Sequence, residues 1–216
     1  MAAGDVVQDL RRLSLTYSNL SVAYQELGRF DSAARYAHRA IGIHETLSDR
    51  VALARSENNL GMLLLKRGDL ADAQAHFERA IKLFEDEGVE TQRANFLLSM
   101  CELQWLRGDR TAAESWAQKA LDLATRASEQ LNIGESHLWL GRIAEARGDA
   151  RQTDSEFSTT FELLKDSTER SSRAHALYGE LLEARGDLGA AIRQFKQALA
   201  TRASESSVES AAAASA

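Results

Sequence analysis

The chain has 216 residues, with 26 Lys and Arg against 32 Asp and Glu and a net charge of −6. This balance argues against a nucleic-acid surface, since phosphate binding needs clustered cations. Proline is absent and Ala, Leu, Arg and Glu dominate. These are helix formers, no window alternates as a strand would, and the fold class reads as all-α. One cysteine, Cys101, leaves no internal disulfide and fits a reducing compartment. No apolar run is long enough to span a bilayer, and the N-terminus does not read as a secretory signal, so a cytoplasmic location without membrane contact is expected.

Arg-Gly-Asp occurs at 67–69, 107–109, 147–149 and 185–187, preceded by a looser Leu27-Gly28-Arg29-Phe30-Asp31. The glycines at 28, 68, 108, 148 and 186 are spaced by 40, 40, 40 and 38 residues. Glycine supplies the left-handed conformation that ends one helix, and a nearby aspartate can accept from the free N–H groups of the next. The pattern predicts helices near 6–27, 31–47, 51–67, 71–87, 91–107, 111–127, 131–147, 151–165, 170–185 and 188–203. Short links such as Ser48-Asp49 and Glu87-Gly88 join them, and the two-residue deletion is placed in the Asp166–Glu169 link. The solenoid covers 5–204, in repeats of approximately 14–49, 54–89, 94–129, 134–168 and 172–204. The Ser/Ala-rich stretch 205–216 has too little apolar surface to order itself and is expected to be a disordered tail.

Each glycine fixes a register. Eight residues before it stand Leu20, Leu60, Met100, Leu140 and Tyr178, followed at once by the small Ser21, Gly61, Cys101, Gly141 and Gly179. Five residues after it stand Ala33, Ala73, Ala113, Thr153 and Ala191, and twelve after it Ala40, Ala80, Ala120, Thr160 and Ala198. Small residues at fixed sites let two helices approach closely, while large ones fill the gaps between hairpins.

The stretch from Asn59 to Leu83 contains the leucine–glycine pair Leu60-Gly61, the turn Gly68, Ala73 and Ala80, and the aromatic Phe77. It resembles the tetratricopeptide repeat family, and the likeness extends over about 190 residues. The period of 40 exceeds the usual 34, and the proline that usually ends the second helix is missing. The resemblance implies an α-solenoid of about five helix-turn-helix hairpins that binds a peptide or partner protein.

In such arrays the first helix of each pair lines the concave side. Helical periodicity places residues thirteen, ten, nine, six, three and two before the glycine on that face. The candidates for peptide or partner contact are Asn19, Arg55, Asn58, Asn59, Asn95, Trp139 and Arg142. Asparagine amides both donate and accept, so they hold a peptide backbone of any sequence. Tryptophan supplies a large rigid contact surface. Arg55, Asn59 and Lys66 come nearest to the family's carboxylate clamp, but repeat three lacks matching basic groups.

Other readings carry less. Arg-Gly-Asp recurs at the hairpin turn, which explains it better than cell adhesion does. The five histidines have no metal-binding pair spacing, and there is no phosphate loop or nucleophile elbow, so neither enzyme nor cofactor is expected. His137 and His175 share a repeat position, which points to packing, and Cys101 sits at a small core site. An alternative is the effector-sensing domain of a bacterial transcription regulator whose DNA-binding domain lies outside this chain. Ile192, Phe195 and Leu199 at the end of the last hairpin predict a weak homodimer.

Overall fold

A computed structural model describes the backbone of residues 3–89 and 93–213 and the side chains of 4–89 and 93–203. Among the described residues there are ten helices and no strand. α1 (Ala3–Glu26) packs on α2 (Phe30–Thr46) and α3 (Arg50–Arg67) on α4 (Leu70–Asp86), and α5 (Arg93–Leu106) and α6 (Arg110–Ala127) follow in the chain. Then come α7 (Gln130–Ala146) with α8 (Ala150–Leu164), and α9 (Thr168–Ala184) with α10 (Leu188–Ala213). The bounds follow the glycine pattern closely. The first two residues of the expected 91–107 helix lie outside the described ones. The backbone of α10 runs to Ala213, through most of the stretch assigned from sequence to a disordered tail. That stretch is alanine-rich, and alanine is the strongest helix former.

The chain divides into two compact units, Met1–Trp116 and Ala117–Ala216. In the first, Leu60, Leu63, Phe77, Met100 and Leu103 form the main core. Phe84 meets Phe96 edge to face at 4.7 Å, closing α4 onto α5. In the second, Leu138, Phe157, Leu164 and Ala174 are buried together. Phe157 stacks on Tyr178 at 4.6 Å and joins α8 to α9. The threonines of repeat four sit fully buried where alanine is usual, because their hydroxyls find carbonyls. Thr153 donates to Asp149 O, and Thr160 donates to Glu156 O at 2.9 Å and Gly134 O at 3.4 Å.

The recurrent Arg-Gly-Asp has a role for each residue. The glycines are left-handed, with φ between 69° and 94° at Gly28, Gly68, Gly108, Gly148 and Gly186. The amide after each turn glycine bonds back five residues, as in Asp69 N–H to Leu64 O at 2.9 Å, the Schellman closure. Asp109, Asp149 and Asp187 accept from the backbone N–H three residues on. Asp69 does not cap its helix, because its carboxylate is taken by Arg67. Arg107 and Arg185 reach back to the preceding hairpin, while Arg147 donates to Gln152 of its own. Arg107 bonds Gln74 and Leu70 O, and Arg185 grips Glu145 and Asp154. The Arg185 hydrogen bond holds the Glu145 carboxyl below its usual range, while burial and Asp154 push the Tyr178 phenol up to about 12.

The link between hairpins uses the same closure. Ser48 and Ser128 adopt φ of 52° and 56°, and Gly88 adopts 65°. Together with the hairpin glycines, left-handed residues fall every twenty positions from 28 to 148. The series breaks between α8 and α9, where the two-residue deletion lies. The missing residues come from the end of α8, which has 15 residues against 17 in α2 and α4, and not from the Asp166–Glu169 link.

Candidate functional site

The candidates from the first unit divide sharply. Asn19, Asn59, Arg55 and Asn95 are exposed on α1, α3 and α5. Asn19 and Asn59 share one register, nine residues before the glycine, and Arg55 and Asn95 share another, thirteen before. The three amide side chains make no hydrogen bond to any described residue. Asn58 is not on this face. It is 3% exposed, and its Oδ1 has no partner among the described residues. Its register position carries the buried Leu98 and Leu138 in later repeats, so Asn58 occupies a packing site.

In the second unit, Trp139 is 7% exposed and the Arg142 guanidinium lies 4.5 Å over its ring. The pair therefore satisfies itself, and Trp139 offers little open surface. Trp105 in the first unit is similarly covered by Arg110 at 3.6 Å. Phe195 also turns inward, against Gly179, while Leu188, Ile192 and Leu199 are the large apolar residues exposed on the described part of α10.

One cleft gathers the expected first-helix residues. Ser18, Val22 and Gln25 from α1 face Asn59 and Met62 from α3 across it. Ser21, Ser56, Ala37 and Ala40 form its floor, and its volume is about 150 Å³. Ser56 Oγ is 3.0 Å from His44 Nδ1 below the floor. Burial, opposed by Asp49, lowers the His44 pKa.

The cleft has a packing origin that the sequence reading missed. In hairpins two, four and five the residue nine after the turn glycine faces the glycine seven before it. Phe77 fills this contact over Gly61, Phe157 over Gly141, and Phe195 over Gly179. A Cβ on Gly61 would lie 2.5 Å from the Phe77 ring. In hairpin one the pair is Ser21 and Ala37, so no ring fills the space. The columns Ser21, Gly61, Cys101, Gly141, Gly179 and Ala37, Phe77, Ala117, Phe157, Phe195 carry the signal in the sequence: phenylalanine stands opposite each glycine and alanine opposite Ser21 and Cys101.

A set of mostly half-buried polar residues pairs between the two helices of a hairpin. Eleven before and eight after the glycines of hairpins one, two, four and five, facing residues meet as Tyr17–Tyr36, Glu57–His76, His137–Glu156 and His175–Gln194. Glu57, fully buried, is held by His76 at 2.6 Å and Arg79 at 2.9 Å. Among the described residues no cluster of three or more His, Cys, Asp or Glu could hold a metal ion, and no helix is long and apolar enough to cross a membrane.

Hairpins with a left-handed turn, a glycine–phenylalanine contact and an open first-helix face define an α-helical repeat of the tetratricopeptide type. Tetratricopeptide repeat models match residues 12–86, 58–132 and 172–197, and the chain belongs to that family. No curated protein sequence matches it. Solved structures share the fold at low identity. BtubC (BKLC) from P. vanneervenii superposes with a TM-score of 0.69 at 18% identity, over 94% of this chain and 89% of that one. A Rap protein complexed with Competence and Sporulation Factor gives 0.78 at 12% identity, over 93% of this chain. The Rap conjugation gene regulator of plasmid pLS20, in complex with a Phr peptide, gives 0.68 at 17% over 91%. This chain spans 58% and 64% of those two proteins.

Proposed function

We propose that the chain is a peptide-binding module, and that the first unit receives an extended segment of a partner protein along α1, α3 and α5. The observation that carries this reading is the set of unpartnered amides at Asn19, Asn59 and Asn95, beside a cleft between α1 and α3. An amide can donate to one backbone carbonyl and accept from one backbone N–H, so a row of them grips an extended chain. Arg55 adds a cation beside the row, favouring an acidic or carboxylate-bearing segment. Two fold neighbours were solved with bound factors, one of them a peptide, which supports the same use of this architecture.

The test begins with selection of peptides from a displayed random library on the immobilised chain. The tightest is then titrated into wild type, Asn19→Ala and Asn59→Ala by calorimetry. Loss of a neutral hydrogen bond weakens binding by roughly 2- to 10-fold per amide. Affinity unchanged in both variants removes this face from the account.

A further inference from the structure

The contact that three hairpins fill with their own ring is empty in hairpin one. Phe77 and Phe157 are fully buried against the glycines they face. The first hairpin carries Ala37 instead, and its neighbouring ring does not substitute. Tyr36 stacks on Tyr24 at 5.3 Å and tilts against Tyr17 at 5.9 Å. What remains is the 150 Å³ cleft with Ala37 and Ser21 in its floor and Val22 and Met62 among its walls. Cavities of about this size accept a benzene ring.

We propose that this slot takes an aromatic side chain, phenylalanine in particular, from the segment bound along the first helices. This rests on the peptide-binding reading above and specifies it. The chain itself shows what fits, since a phenyl ring is what the equivalent contact holds in hairpins two, four and five. Ser56 at the floor is already engaged by His44, so an unsubstituted ring suits the slot better than a phenol. Asn59 and Gln25, also lining the cleft, are placed to hold the backbone on either side of the anchor. Fully burying a phenylalanine favours association by roughly 10- to 100-fold over alanine.

The probes are N-acetyl-phenylalaninamide and N-acetyl-alaninamide, titrated into the full chain while the methyl resonances of Val22 and Met62 are followed. The phenylalanine probe should shift both methyls and saturate at millimolar concentrations, as expected of a ligand this small. The alanine probe should bind at least 10-fold more weakly. The double variant Ser21→Gly/Ala37→Phe rebuilds the glycine–phenylalanine pair of hairpins two, four and five and should respond to neither. Equal responses to the two probes, no shift at Val22 and Met62, or an undiminished response in the double variant would overturn the proposal. If the double variant loses helicity, the two-probe comparison on wild type decides. Because the probes are single capped residues, their failure removes the anchor alone; the peptide-binding reading fails separately, on the Asn19→Ala and Asn59→Ala titrations.

Discussion

Gly61→Ala and Gly42→Ala are the same chemical change in two helices, and the structure gives them opposite signs. Both glycines lie inside helices, where alanine is favoured by about 0.5–1 kcal/mol because it loses less backbone freedom on folding. Gly42 is exposed in α2, with nothing within 4 Å of a new Cβ, so the full gain should appear. At Gly61 the new Cβ meets Phe77 Cε1 at 2.5 Å and Cδ1 at 2.6 Å, with the Ala73 carbonyl oxygen at 3.2 Å behind. Phe77 is fully buried, so its ring cannot swing out into solvent without breaking its own packing. Overpacking of this kind costs about 3 kcal/mol at the upper end of its usual range, leaving a net loss of about 2 kcal/mol after the helix gain. In a chain of this length that lowers Tm by about 4–8 °C, while Gly42→Ala raises it by about 2–3 °C. Thermal melts followed by circular dichroism read the shift, and amide exchange in α3 and α4 reads it locally. If Gly61→Ala is as stable as Gly42→Ala, the glycine–phenylalanine contact is not tight and the packing origin of the cleft is lost with it.

Other predictions come from the turns and the buried charges. Ser48→Gly and Ser128→Gly relieve left-handed serines and should each raise stability by about 1 kcal/mol; lower urea midpoints would count against the assigned turns. His44 is held below its ordinary 6.5 by burial, so the folded state binds fewer protons than the unfolded chain just below that value. Stability should be complete above about pH 6.5 and fall as pH drops through the window beneath it. The difference in urea midpoint between pH 7.5 and 5.5 should shrink in His44→Gln, and an unchanged difference refutes the assignment. Arg185→Met leaves Glu145 and Asp154 without their shared cation and should cost about 2 kcal/mol, measurable by urea denaturation. A loss below about 0.5 kcal/mol would place the pair among surface ion pairs of little consequence.

The fold was legible because its spacing is written in glycines and small residues, whose roles follow from backbone geometry alone. Gly68 or Ala73 can be read without knowing any neighbour. The candidate face was legible only in part, because burial on a first helix is decided by the next hairpin as well as by its own. Asn58 and Asn59 differ by one residue and about 100° of rotation, yet one is buried and the other exposed. Trp139 looked like an open anchor because its stacking partner, Arg142, was itself a candidate. The cleft escaped notice for a different reason. It depends on a missing ring at Ala37, and an absence becomes visible only when paired columns of the repeat are compared.

The central claim is that a guest segment lies along the first helices of the first unit. A photo-crosslinking residue placed at Leu15, exposed on α1, and separately at Glu78, exposed on α4, tests it with the selected peptide. Mass spectrometry should find the peptide joined to position 15 and not to position 78. Crosslinks at 78 with none at 15 would contradict the account.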